Sequence, residues 1–203
     1  MVRVIAYVDG FNLYFGLRSK GWKRYYWLNM QALAQNLLKP GQVLVSTKYF
    51  TARIAGPPDK EQRQSTYIEA LKTLSDFEIF YGRYQLNPRQ CSQCGFQDEV
   101  PNEKMTDVNV AVEILKDAYQ NKFDVALLIS ADSDLVPPVK AVRELFPEKR
   151  VVVASPPGRY SASLANSASS SLVIGRGKIA RSVLPEEVKK ADGYILRRPE
   201  LWK

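Results

Sequence analysis

A chain of 203 residues, 45% hydrophobic and 25% charged, is sized for one well-buried domain of ordinary globular composition. Its 29 Lys and Arg against 21 Asp and Glu give a net charge of +8, which favours nucleic acid over a membrane surface as partner; a basic surface with no polyanionic ligand is the plainer alternative. The complete absence of histidine excludes Ser-His-Asp and Cys-His hydrolysis, paired-His cleavage of RNA and His-ligated zinc enzymes, and leaves carboxylates with a metal as the economical route to hydrolysis.

In chain order, Arg3 to Val8 reads as a buried strand ending at Asp9-Gly10. Phe11 to Arg18 follows as a helical turn, and Trp22 to Trp27 as an aromatic, basic loop. Asn29 caps a helix through Leu38, stopped by Pro40-Gly41, and Val43 to Ala52 is a β-branched second strand. Pro57-Pro58-Asp59 opens a helix over Lys60 to Leu74 with Tyr67, Leu71 and Leu74 inward. Phe77 to Tyr84 is a third strand, and Asn87 to Asn102 a polar loop. Thr106 is expected to cap a helix through Asn121 whose buried stripe is Val108, Val112, Leu115 and Tyr119. Asp124 to Ser130 is an apolar strand, Asp134 begins a helix to Phe146, and Arg150 to Ala154 is a fifth strand. A Ser-rich helix near Ser161 to Ala168 and an edge strand at Ser171 to Ile174 complete a domain over 1–183, with 184–203 a basic tail.

No window approaches the roughly 20 apolar residues of a spanning helix. The apolar start halts at Asp9, too early for a signal-peptide core, so a cytoplasmic protein with no membrane partner is expected. Cys91 and Cys94 supply no disulfide framework, which suits a reducing compartment. Their Cys-x-x-Cys spacing makes a zinc half-site that a homodimer could complete; one chain lacks the four ligands of a closed site, so zinc is not expected.

Strands alternating with helices predict an α/β fold, a mostly parallel sheet wound on both faces. Its centre falls on the most apolar strands, at Val4–Val8, Ala126–Ile129 and Val151–Val153. Ligands of such sheets sit beyond the carboxyl ends of the strands at the topological switch point. If the first and fourth strands are neighbours, Asp9, Asp132 and Asp134 share a rim, and Asp107 faces it from its helix start. Gathered carboxylates repel unless a hard cation neutralises them, and oxygen-only ligation suits Mg²⁺ or Mn²⁺. Asn12 could orient a water or phosphate oxygen there without adding charge. Strand-end turns and helix caps are the competing duty of each aspartate.

Three ordered segments carry a family resemblance: Val8-Asp9-Gly10-Phe11-Asn12-Leu13, Glu103-Lys104-Met105-Thr106-Asp107-Val108 and Ser130-Ala131-Asp132-Ser133-Asp134-Leu135. Over about residues 3 to 175 the chain resembles the NYN domain of the PIN-like nuclease superfamily, in its bacterial LabA-like branch. The resemblance implies a three-layer α/β/α PIN-like fold and metal-dependent ribonuclease activity. It implies metal-site roles for Asp9, Asp107, Asp132 and Asp134, with Asn12 beside them and Ser130 and Ser133 on the same rim. Relatives often carry an Ala-Asp pair late in the domain where this chain has Ala168-Ser169, which points to one ion or a weaker site.

Lys104 reads as a contact to the scissile phosphate or as an exposed loop lysine. Trp22, Lys23, Arg24 and Tyr25 interleave rings with cations as single-strand binders do, or fold onto the core. Arg176 extends a basic track or simply solubilises. The leading expectation is a metal-dependent nuclease for single-stranded RNA. A non-catalytic RNA-binding regulator and a small-molecule phosphohydrolase are the alternatives.

Overall fold

The computed structural model describes residues 1–90 and 92–203, with side chains except at 86 and 98–102. The chain runs β1 (Val2–Asp9), α1 (Gly10–Ser19), α2 (Met30–Leu37), β2 (Gln42–Thr51), α3 (Pro58–Leu71) and β3 (Phe77–Tyr81). It continues through β4 (Arg83–Gln90), β5 (Gln97–Lys104), α4 (Thr106–Tyr119), β6 (Val125–Ile129), α5 (Val136–Leu145) and β7 (Arg150–Ser155). It closes with α6 (Ala162–Ser167), β8 (Ser170–Val173), α7 (Arg176–Ala180), β9 (Glu187–Lys189) and β10 (Ile195–Arg197).

Six parallel strands form the central sheet in the order β3-β2-β1-β6-β7-β8. The expected central strands are central, and β8 is the expected edge. Alternation along β1 builds two cores. Val4, Ala6 and Val8 pack with Leu13, Leu33 and Leu71 on one face, and Ile5 and Tyr7 with Ile114, Val139 and Leu164 on the other. Helices thus cover both faces, giving the three-layer α/β/α arrangement. Because β1 pairs with both β2 and β6, the direction of sheet growth reverses beside it, and the switch point lies between β1 and β6.

Four expectations change. The polar stretch 87–102 lies largely in an antiparallel ribbon of β4 and β5, paired from Arg83–Lys104 to Gln90–Gln97. A two-stranded ribbon covers no core, so no apolar alternation announces it; Pro88 and Pro101, which argue against an interior strand, are tolerated where each strand keeps a free edge. Thr106 does not cap α4: its hydroxyl is buried without a partner, and the preceding Met105 turns the chain at φ 76°. The α4 stripe is rotated, leaving Val108 (62%), Val112 (54%) and Tyr119 (82%) exposed while Val110, Ile114, Asp117 and Ala118 are buried. Residues 184–203 fold onto the body: β9 pairs with β10, and Leu184, Val188 and Leu196 enter the core. Trp202 rests on Tyr26, Trp27 and Tyr67.

The rotation of α4 has an electrostatic cause. Lys48 on β2 is only 3% exposed, and its ammonium lies 2.6 Å from both Glu113 and Asp117. Tyr7 donates its hydroxyl to the same Asp117 oxygen at 2.8 Å. A buried lysine is costly without partners, so the helix turns Glu113 and Asp117 inward and leaves part of its apolar surface outside. Among the described residues no helix is long and apolar enough to cross a membrane.

Removing the lysine leaves the buried Glu113 and Asp117 with only the half-exposed Lys116 and Lys122 and the Tyr7 hydroxyl. Lys48→Met is expected to lower stability to urea by about 3–5 kcal/mol. Lys116→Met, at the half-exposed outer pair with Glu113, is expected to cost no more than about 1 kcal/mol. Equal midpoints for Lys48→Met and wild type would contradict this account.

Candidate functional site

The site begins with register. Val8 pairs with Ile129, so Asp9 and Ser130 leave their strands side by side. Asp9 caps α1: its Oδ1 accepts the Asn12 amide at 2.9 Å, and its Oδ2 accepts the Ser130 hydroxyl at 2.8 Å. Ser130 in turn accepts the Asp132 amide at 3.1 Å. Asn12 Oδ1 accepts the Ala131 amide at 3.1 Å, so Asn12 latches α1 to the end of β6. Gly10 follows Asp9 because nothing larger fits: a Cβ there would stand 2.7 Å from the Tyr49 ring and 2.8 Å from the Phe50 carbonyl.

Asp132 accepts the Asp134 amide at 3.0 Å and caps the 3-10 turn Ser133–Leu135. The cap reading and the site reading thus hold together for Asp9 and Asp132. Asp107 enters from the first turn of α4, half-buried, while Asp134 and Ser133 are exposed at the rim.

The acids feel one another. Asp9, 4% exposed, is pushed up to about 6, chiefly by burial and further by Asp107 and Asp132, against the hydrogen bonds from Asn12 and Ser130. Asp107 is raised by burial and by the charges of Asp132 and Asp134. Glu103, at the end of β5, is pushed up to about 7 by burial together with Asp9, Asp107 and Asp132. One of its carboxylate oxygens is buried without a hydrogen-bond partner. Glu103 is the acid that sequence reading missed. It lies inside the second motif, four residues before Asp107, but its aim depends on the unread β4–β5 ribbon.

Among the described residues, no group of three His, Cys, Asp or Glu side chains already stands as a metal cage. The chemistry nevertheless fits a hard cation. The donors are all oxygen, their neighbouring charges raise Asp9, Glu103 and Asp107, and Glu103 presents an unpaired buried oxygen. Ser169 bears on the same question. It bonds Val151 through its hydroxyl, and Val151 pairs with Ala126, four residues or roughly 13 Å of strand below the rim residue Ser130. An acid at 169 would not reach these aspartates, so its absence does not weaken them.

The remaining candidates are elsewhere or otherwise engaged. Tyr25 is buried, Trp22 packs on the core, and the Arg176 guanidinium covers both rings at 6.0 and 5.5 Å. The faces a base would stack on are therefore occupied. Arg24 is exposed and lies over Tyr25, its carbonyl accepting from Arg198. Lys104 is exposed, without an ion-pair partner among the described residues. Cys94 is exposed and free, and the expectation for Cys91 lies outside the described residues.

An all-parallel sheet whose order reverses beside a rim of carboxylates is consistent with a three-layer PIN-like fold. The chain belongs to the NYN domain family, which it matches over residues 3–175. It is similar to 6-hydroxy-3-succinoylpyridine 3-monooxygenase of Pseudomonas putida, at 27% identity over 99% of this chain and 75% of that relative. It also shares its fold with a protein of unknown function from Vibrio parahaemolyticus whose crystal structure is known, at a TM-score of 0.57 and 23% identity, covering 86% of this chain and 94% of that one.

The raised acids predict a pH dependence. In EDTA, the folded protein keeps protons on Asp9 and Glu103 that the unfolded chain releases from about pH 4 upward. Stability therefore falls as pH rises through about 7 and levels off above it. Thermal melts in EDTA at pH 5 and pH 8 should show a larger fall in Tm for wild type than for Asp9→Asn or Glu103→Gln. Identical falls would show that the acids are not in conflict.

Proposed function

We propose that the protein is a metal-dependent ribonuclease that hydrolyses phosphodiester bonds of single-stranded RNA. The observation that carries this reading is the rim of carboxylates at the switch point of an NYN fold, where the charges of Asp107 and Asp132 bear on both Asp9 and Glu103. Asp9, Asp107, Asp132 and Glu103 would hold Mg²⁺ or Mn²⁺, with Asp134 at the open side. When bound, such an ion neutralises the carboxylates and polarises a phosphodiester toward attack by water. Ser130 fixes the direction of Asp9 and the backbone of Asp132 at once, so it orients two donors through one hydroxyl. Asn12 keeps α1 and the β6 end together and spends no charge in doing so. The net charge of +8 favours a polyanionic substrate over an isolated small phosphate ester.

The name of the Pseudomonas putida relative suggests a second reading, oxygenation of a heteroaromatic acid. With no histidine, the chain cannot assemble the 2-His-1-carboxylate iron site from its own residues, so this reading would need another redox group.

Cleavage of end-labelled single-stranded RNA in Mn²⁺ tests the first reading. Wild type should cleave, and EDTA should abolish cleavage. Asp132→Asn should lose more than the roughly 10–100-fold expected when an outer-shell partner such as Ser130 is changed to Ala. Cleavage that persists in EDTA, or equals wild type in Asp132→Asn, would overturn it. Binding without cleavage under any divalent ion would select a regulatory RNA-binding role. Hydroxylation of 6-hydroxy-3-succinoylpyridine with a supplied reductant would select the second reading.

A further inference from the structure

Beside the acidic rim the surface opens into a cleft of about 690 Å³, within the roughly 300–1,000 Å³ of pockets that hold small organic ligands. One wall is α1, through Phe11, Tyr14 and Phe15; the other is α3, through Lys60, Arg63 and Gln64. Gly10 and Glu103 also line it, so the cleft reaches the carboxylate rim.

Tyr14 and Phe15 of α1 lie outside the buried core, with Phe11 half-buried beside them. That helix buries Leu13 and Leu17 toward the sheet, while Tyr14 and Phe15 remain 39% and 41% exposed. They form a connected surface: Phe11 stacks on Phe15 at 6.3 Å, and Tyr14 meets Phe15 at 5.3 Å and Tyr26 at 5.0 Å. Arg18 and Lys23 continue this wall. Arg18, Lys23 and Lys60 have no ion-pair partner among the described residues, and Arg63 has only the exposed Asp59. Glu103 is the sole acid among the described lining residues, and it belongs to the rim.

We propose that this cleft binds single-stranded nucleic acid, with bases against Phe11, Tyr14 and Phe15 and phosphates along Arg18, Lys23, Lys60 and Arg63. Open rings in series beside cations are the arrangement that holds single strands without sequence readout. Cations on both walls exceed what one small carboxylate needs, and they match a ligand that repeats its charge. The α1 wall, not the Trp22 and Tyr25 rings, is then the base-binding surface; of the Trp22–Trp27 loop, Lys23 and Tyr26 line the cleft. The assignment rests on the reading of the rim as a phosphodiester-cleaving site, because it delivers a strand to that rim.

Fluorescence anisotropy with labelled oligouridylate in EDTA reads binding apart from turnover. Wild type should bind. The Tyr14→Ala, Phe15→Ala double variant should weaken binding about 5- to 100-fold for each stack lost. Arg18→Gln and Lys60→Gln should each flatten the slope of log K against log salt by about 0.7. These cation variants keep the test decisive if the aromatic variant unfolds. Unchanged affinity and slope in the cleft variants would overturn the assignment, even with RNA cleavage intact. Binding of 6-hydroxy-3-succinoylpyridine but of no oligonucleotide would also overturn it. The expected binding pattern without Mn²⁺-dependent cleavage would sustain the cleft and remove the nuclease reading.

Discussion

The pairing of β1 with β6 is the constraint on which the site depends. Parallel strands place all their carboxyl ends on one edge, and the Val8–Ile129 register leaves Asp9 and Ser130 adjacent there. A shift of one residue would turn Asp9 to the other face of the sheet and break its bond to Ser130. The two apolar cores forbid that shift, because Val4, Ala6 and Val8 would exchange faces with Ile5 and Tyr7. Packing energy spread over the whole sheet thus holds a charge pattern that is itself unfavourable.

Two groups of buried charge are handled in opposite ways. Around Lys48, opposite charges meet: Glu113 and Asp117 compensate the ammonium, and the group orients α4. On the rim, like charges meet, and burial with mutual repulsion raises Asp9, Glu103 and Asp107. The two are mechanically linked. Asp107, Val110, Ile114 and Asp117 lie at i, i+3, i+7 and i+10, one stripe of α4. Turning Asp117 toward Lys48 also carries Asp107 toward the rim. Had α4 buried Val108, Val112 and Tyr119 instead, Asp107 would have swung away by about 160°.

The aromatic residues divide by a similar logic. Trp22, Tyr25 and Trp27 look in sequence like a nucleic-acid-binding cluster, yet the core and Arg176 absorb them. Phe11, Tyr14 and Phe15 look like ordinary helix residues, yet they remain open beside the site. Composition near a residue does not say which of its faces is free. That depends on what packs against it from distant parts of the chain.

Much of the fold was legible in local pattern. Short β-branched runs marked β1, β2, β6 and β7, Asn29 and Ser161 marked two helix starts, and the alternation of strands with helices implied the parallel sheet. The aspartates at the strand ends and the three motifs marked the rim, because those signals lie within a few consecutive residues. Three features required the tertiary structure: the β4–β5 ribbon that delivers Glu103, the rotation of α4, and the aromatic wall left open on α1. Each depends on a partner far away in sequence: Lys104 for Arg83, Lys48 for Asp117, and α3 for α1. Sequence by itself determined which carboxylates stand where strands end. Only the folded chain decided which of them share a field, because Coulomb energy depends on separation in space and local pattern records only separation along the chain.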